Sequence, residues 1–236
     1  MTELSRLSQR RLRMMLEAGE EVLRCQEALA RGGLNIVGEI LRGQGTFFEW
    51  NHYPEGDVYD RESHSQYYYH SHRGEHDEHG HFHTFLRRAG MPAGIEPAPM
   101  PGRQHWPSGE EELSHLIAIS MDTFGTPVRL FATNRWVTGE AWFRAEDVIR
   151  MLDRFSIAHA YPSWPVNRWL SSMIRLFQPQ IAELLRERDR VIREWKRGEV
   201  DVLEDTALEV TGAHPIAVDR QIARVRQALS KAEARG

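Results

Sequence analysis

The sequence predicts an α+β fold: an antiparallel β-sheet of two or more hairpins packed against several α-helices, with a helical C-terminal tail. Three observations lead to this prediction. The N-terminal stretch repeats apolar residues at helical spacing, the middle contains alternating runs joined by turn residues, and the chain from residue 144 onward returns to helical spacing. Strands and helices grouped in separate blocks are typical of α+β domains.

The N-terminal third begins with a long amphipathic helix. Residues 3–31 are mostly polar with apolar residues at helical spacing, and Gly32-Gly33 ends the pattern. A short second helix is predicted over 34–42. The next segment, "NHYPEGDVYD" at 51–60, is rich in turn residues and is therefore expected to be an irregular loop.

Two hairpins are predicted in the middle of the chain, over residues 66–87 and 114–139. The stretch between them, 89–109, contains too much Pro and Gly for a helix or a strand. It is expected to be a long surface loop, and such loops are often functional lids or disordered.

Helices are predicted for the rest of the chain. The first three are followed by a charged helical tail in two pieces; the five ranges are 145–155, 165–177, 179–196, 201–210 and 215–234. We expect residues 1–198 to form a single domain and 199–236 to form the tail, which either docks loosely or joins copies of the chain into a homo-oligomer.

Composition narrows the function classes. The chain has 236 residues, of which 41% are hydrophobic and 27% charged, as in a soluble globular protein. The one cysteine excludes an internal disulfide and a thiolate ligand set. A net charge of −4 with arginines interleaved among acids argues against nucleic acid as a partner. Without a secretory signal or a long apolar run, a cytoplasmic protein with no membrane partner is expected.

Histidines are concentrated in one of the predicted hairpins. Eight of the twelve lie between residues 52 and 83, and six of these fall in "YYYHSHRGEHDEHGHFHTF" at 67–85. Alternation along antiparallel strands would place His70 and His72 on the same face as His81 and His83. These four are the candidate metal ligands. His79 and His76, close to the turn, are secondary candidates.

Imidazole ligands favour zinc, iron or copper among divalent transition metals. Haem is an alternative cofactor, for which one or two axial histidines are sufficient. A third hypothesis needs no metal, because a solvated histidine hairpin would change its charge near pH 6 and act as a pH-responsive surface.

The tripeptide Asn-Arg-Trp occurs twice, at 134–136 and 167–169. Arg135 and Arg168 could orient a small anionic substrate, with Asn134 and Asn167 fixing a polar group beside it. The alternative is structural: the tryptophans pack in the core and the arginines pair with acids. His115 and His159 are expected to make structural hydrogen bonds, although either could complete a site if the fold brings it near.

Several long strings occur in a fixed order: "HYPEGDVYD", "SQYYYHSHR", "HGHFHTFLR", "HLIAISMD", "FATNRWVTGE" and "YPSWPVNRWL". By these strings the chain resembles an uncharacterised family of bacterial proteins over about residues 50–195. The resemblance implies no activity, substrate or cofactor.

The leading functional hypothesis is a metal-dependent enzyme. Its histidine hairpin would bind zinc, iron or copper, and it would act on a small, anionic substrate by hydrolysis or oxidation. The alternatives are a non-catalytic haem- or metal-binding protein, and a structural or interaction protein with a pH-responsive histidine surface.

Overall fold

The fold is built on one antiparallel sheet. A computed structural model describes residues 4–72, 78–196, 198 and 200–235. Within these residues the sheet has six strands, and each strand pairs with its neighbour in the sequence. The strands are β1 (Tyr53–Tyr59), β2 (Ser65–His70), β3 (Gly80–Arg87), β4 (Leu113–Met121), β5 (Pro127–Thr133) and β6 (Val210–Pro215).

Helices precede and follow the first five strands, which confirms the predicted α+β class. They are α1 (Gln9–Arg31), α2 (Ile36–Leu41), α3 (Arg135–Thr138), α4 (Ala145–Met151), α5 (Trp164–Leu176), α6 (Gln178–Glu194) and α7 (Val218–Glu233). Helix α1 packs against α5 and α7, and α6 packs against α4, β5 and β6. No helix within the described ranges combines the length and apolarity needed to cross a bilayer.

The two faces of the central hairpin differ in chemistry because side chains alternate along each strand. Tyr67 and Phe82 face the helices. The Tyr67 hydroxyl donates to Asn167 Oδ1 of α5 at 2.5 Å. The Phe82 ring lies 5.7 Å from the ring of Trp169, which is also on α5. This apolar face fixes the register, since a shift by one residue would bring the histidines against the helices.

The prediction of an irregular loop over 51–60 is wrong. Strand β1 lies there and pairs with β2, with a bulge between Tyr53 and Val58. Gly56 and Asp57, which suggest a turn in the sequence, lie in this bulge with φ of 81° and 61°. Tyr53 and Val58 are buried on either side of it. The turn residues therefore shape an edge strand rather than end one.

The predicted helix over 201–210 is also wrong. This stretch contains one 3₁₀ turn, Val202–Glu204, and then leads into β6, which pairs with β5. Asp201 and Asp205 accept hydrogen bonds from the backbone N–H groups of Leu203 and Ala207, which favours turns over a helix. Helix α7 agrees with the predicted helix over 215–234. The domain boundary at residue 198 stays a prediction.

The Pro/Gly-rich loop over 89–109 contains no strand or α-helix, as predicted. Ile95, Ala98 and Trp106 are nevertheless buried, and the Ala98 N–H donates to the Trp142 carbonyl at 2.7 Å. The loop therefore packs onto the core along part of its length.

Candidate metal centre

His70, His81 and His83 lie on the face of the hairpin that points away from α5. His70 of β2 stands directly opposite His81 of β3, and Tyr68 stands opposite His83. The aromatic-rich sequences of both strands favour extended backbone. Antiparallel pairing then brings side chains from the two strands within about 5 Å at Cβ.

Three imidazoles converge at this point. His70, His81 and His83 each offer one ligand atom, and these atoms all lie within 4.8 Å of one another. All three residues are buried, which distinguishes them from solvated surface histidines. The Nε2 atoms of His70 and His81 are 2.8 Å apart. Nitrogen ligands on a tetrahedral zinc are about 3.3 Å apart, so small side-chain movements would let this cluster hold an ion.

A buried carboxylate supports His81. Glu78 Oε1 lies 2.6 Å from His81 Nδ1, and Glu78 Oε2 lies 2.7 Å from Arg129 Nη2. Burial alone would raise the pKa of Glu78, but the hydrogen bond and charge of His81, with hydrogen bonds from Ser120 and Arg129, bring it down to about 2. An ionised carboxylate only accepts, so His81 carries its proton on Nδ1 and, when neutral, directs the Nε2 lone pair at the cluster.

A second histidine supports His83 in the same way. His83 Nδ1 lies 3.0 Å from His115 Nε2, and His115 Nδ1 lies 3.4 Å from the Thr133 hydroxyl. Burial, together with the positive charges of Arg188 and His81, lowers the pKa of His115 to about 3. This contact orients the His83 ring and occupies its Nδ1, so Nε2 is the atom by which His83 would bind an ion. The expectation that His115 makes structural hydrogen bonds agrees with this position.

The fourth predicted ligand, His72, lies beside the cluster. Its ring is 4.8 Å from that of His70 and 5.1 Å from that of His81, and it stacks on Trp50 at 4.4 Å. Because it is only partly buried, His72 forms the outer rim of the cluster.

The two secondary candidates differ. The His79 ring contacts Tyr69 and Phe47, and its Nδ1 lies 2.7 Å from the Tyr69 hydroxyl. Since Tyr69 lies on the opposite face of β2, His79 is separated from the cluster. Alternation along β3 would place His79 on the same face as His81, but His79 precedes the first residue of the strand, Gly80. Burial lowers the pKa of His79. His76 lies outside the described residues.

His52, which is not among the predicted site residues, also reaches the cluster. It stacks on Tyr68 with ring centroids 3.6 Å apart and meets His70 edge to face at 5.6 Å. Asp57 Oδ1 lies 2.9 Å from His52 Nδ1. The string "HYPEGDVYD" contains both residues, but only the β1–β2 pairing brings them to the site.

A family model described as a domain of unknown function, DUF6969, matches residues 16–216. The chain belongs to the DUF6969 family. This agrees with the predicted resemblance to an uncharacterised family. Comparisons with curated proteins and with solved structures found no match. Because DUF6969 membership assigns no activity, the geometry of the site carries the functional argument.

In this DUF6969 chain the two Asn-Arg-Trp segments lie apart from the histidine cluster. On α5, Arg168 pairs with Glu21 of α1 at 2.9 Å, on the opposite side of the sheet from the histidines. Asn167 accepts from Tyr67 and donates to the carbonyls of His159 and Tyr161, both at 2.8 Å. These contacts hold helices and loops together, and the predicted substrate-binding role of Asn167 and Arg168 stays a prediction.

The first segment is also engaged in structural contacts. Arg135 pairs with Glu204 at 2.5 Å, donates to the Glu140 carbonyl at 3.0 Å and lies over the Trp106 ring. The Asn134 amide donates to the Val202 carbonyl at 2.7 Å, and its oxygen accepts the Arg135 N–H. A substrate anion would have to displace Glu204 to reach Arg135.

The chemistry of the cluster follows from its donor set. Three neutral imidazoles leave a divalent ion with its full positive charge, which acidifies a bound water or polarises a carbonyl. Nitrogen donors of this type suit zinc, iron, copper and nickel, so the donor set alone does not select one metal.

Proposed function

We propose that this protein is a metal-dependent enzyme that binds a divalent zinc, iron or copper ion at His70, His81 and His83. The observation that carries this proposal is the convergence of three buried imidazoles within 4.8 Å on one hairpin face. An ion shared by the three buried rings would take up the ring nitrogens that they direct at one another.

The residues around the cluster have positioning roles in this proposal. Glu78 holds the Nδ1 proton of His81, and His115 orients His83 through the same ring atom. Such partners make the ligands more basic and fix their rings. When bound, the ion would supply Lewis acidity for hydrolysis or a redox centre for oxidation.

Substrate would approach from the outer rim formed by His72, Trp50 and His52. Trp50 is 68% exposed and stacks on His72, while His52 stacks on Tyr68. This side offers aromatic surfaces and imidazole nitrogens, in contrast to the opposite face of the sheet, which α5 covers. A three-ligand set leaves a coordination position for water or substrate on this side.

Metal analysis of untagged protein tests the proposal. We expect stoichiometric zinc, iron or copper in the wild type and its loss in His81→Ala. The matched control is His105→Ala, which removes an exposed histidine far along the chain from the hairpin. In Glu78→Gln, we expect affinity to fall about 10- to 100-fold, as measured by competition with a chelating dye.

Two results would contradict the proposal. One is a wild-type protein that takes up no stoichiometric metal from zinc, ferrous or cupric solutions. The other is metal that stays bound in His81→Ala and in a His70→Ala, His83→Ala double variant. A Soret band with no other bound metal would instead favour the haem-binding alternative.

A further inference from the structure

A cleft lined by the side chain of Arg87 continues from the histidine cluster along the same face of the sheet. Two adjoining pockets, of about 770 and 640 Å³, share the lining residues Gly56, Gln66 and Arg87. Volumes in this range are typical of small-molecule sites. Gln66 alternates with Tyr68 and His70 on β2, which places the cleft and the cluster on one face.

Arg87 is the arginine that lines both pockets of this cleft. Its Nε donates to Gln66 Oε1 at 2.7 Å, and its guanidinium lies 5.5 Å from the centre of the Tyr59 ring. Within the described part of the chain, no carboxylate oxygen lies within 4.0 Å of an Arg87 nitrogen. The adjacent Arg88 differs, because it pairs with Glu96 and Glu112, both at 3.0 Å.

Asp57, an acid that lines the cleft, is held by other partners. Asp57 Oδ2 accepts from Gln66 at 2.6 Å, and Asp57 Oδ1 lies 2.9 Å from His52 Nδ1. Asp57 adopts a left-handed backbone conformation, φ 61°, which is costly for a residue other than glycine and is often found at functional sites. The bulge in β1 thus orients Gln66, and through it the Arg87 side chain.

We infer that this cleft binds a small molecule that carries a carboxylate, with the carboxylate on the two terminal nitrogens of Arg87. Because Gln66 occupies Nε, the outer edge of the guanidinium is the one presented for bidentate pairing. Glu55, Asp57 and Glu110 also line the cleft. Their negative charges oppose a phosphate dianion more strongly than a carboxylate monoanion.

The body of the ligand would extend along β2 toward His52 and Tyr68. Gln66 and His70 are four residues apart, or about 13 Å along a strand, so the ligand is elongated. Phe48, Tyr53 and Tyr59 add aromatic surface to the two pockets, which favours a ligand with an apolar or ring-bearing body. This orientation rests on the proposed metal site, whereas carboxylate binding at Arg87 does not.

Titration of the full chain with 4-phenylbutyrate, followed by calorimetry or ligand-observed NMR, tests the inference. We expect saturable binding to the wild type and weakening by about tenfold or more in Arg87→Gln, since one charge-assisted hydrogen-bonded pair is lost. The matched control is Arg154→Gln, which removes an exposed arginine outside the cleft and should leave the affinity unchanged.

The uncharged analogue 4-phenyl-1-butanol and inorganic phosphate should both bind at least about tenfold more weakly than 4-phenylbutyrate. This comparison uses wild-type protein alone and decides the question even if Arg87→Gln fails to fold. The inference is overturned by the absence of saturable binding, by equal binding of the alcohol, by tighter binding of phosphate, or by unchanged affinity in folded Arg87→Gln.

Metal-free and cobalt-loaded protein separate this inference from the proposed function. Carboxylate binding that depends on Arg87 should persist in metal-free protein, so a failure of the metal site would leave this result intact. In cobalt-loaded protein, the phenyl protons of the ligand should relax faster than the protons beside the carboxylate. The reverse order would overturn the orientation.

Discussion

Glu140 is fully buried at the start of the loop that joins α3 to α4, and its Oε2 accepts the backbone N–H of His115 at 2.5 Å. Burial raises the pKa of this carboxyl to about 7, although the positive charge of Arg188 and the bond from His115 act in the opposite direction. Its ionisation therefore links the stability of the fold to pH near neutrality.

The sign follows from the two protonation states. The folded protein holds the Glu140 proton up to about pH 7, whereas the unfolded chain releases it near 4.5. The protonated Glu140 side chain therefore contributes on the order of 3 kcal/mol to the free energy of unfolding. This contribution is fully present below pH 4.5 and is lost as the pH rises to 7. We expect Glu140→Gln to remove this loss, as measured by urea denaturation between pH 4 and 8.

Glu146→Gln is the control for this prediction, since Glu146 is exposed and its pKa is lowered mainly by its hydrogen bond with Arg186. Parallel pH profiles for the wild type and Glu140→Gln would show that Glu140 does not titrate in this window.

Residue identity and spacing predicted only part of the candidate site. Three of the four predicted ligands, His70, His81 and His83, form the buried cluster. His52 and Glu78 were not predicted as site residues, because an exposed loop histidine and a turn acid have no periodicity that marks them. Their roles depend on where β1 and the start of β3 bring them.

At the scale of elements, the β2–β3 hairpin depends on close contact at Gly80. A Cβ at this position would lie 2.5 Å from the His70 carbonyl and 2.6 Å from the Tyr69 hydroxyl. His70 also contributes to the cluster, so any widening of the hairpin here would separate His70 from His81. The strand therefore requires glycine for close approach rather than for backbone freedom.

We expect Gly80→Ala to lower the free energy of unfolding by about 1–3 kcal/mol and to weaken metal binding, because the overpacked strand must shift. Denaturant unfolding and metal competition measure the two effects. Gly38→Ala in α2 is the control, since a Cβ there would meet its nearest atom at an ordinary 3.4 Å. Wild-type metal affinity in Gly80→Ala would show that the cluster tolerates this shift.

Helices and strands were predicted correctly where apolar residues recur at a regular spacing over a long stretch of the sequence. Both hairpins and the helices that became α1, α5, α6 and α7 follow periodic apolar residues. Strands β1 and β6 were missed because their sequences carry turn and charged residues. Each lies at an edge of the sheet, where pairing with one existing strand is enough to fix an extended backbone.

At the scale of the whole molecule, the C-terminal segment contributes to both the sheet and the helical layer. Ala213 of β6 pairs with Phe131 of β5. On α7, Ile222 and Val225 are buried, and Ile222 lies close against Gly19 of α1. Removal of the C-terminal segment would expose the apolar face of α1 and leave the edge of β5 unpaired.

Deletion of residues 199–236 is therefore expected to lower the thermal unfolding midpoint and to promote aggregation, as measured by circular dichroism and size-exclusion chromatography. Deletion of 234–236 alone, beyond α7, is the control. A truncated chain that unfolds at the wild-type temperature and changes only its oligomeric state would support the view that the tail is an assembly element.

The sequence by itself determined the fold class, the central hairpin and the alternation that sets His70, His81 and His83 on one face and most of the aromatic residues on the other. These features are local, because alternation and helical spacing follow from backbone geometry. Only the tertiary structure decided that Glu78, His115 and His52 surround the cluster, that Arg168 lies across the sheet from it, and that Arg87 faces the cleft. Those outcomes depend on strand order, a bulge and edge pairing, which join residues distant in sequence.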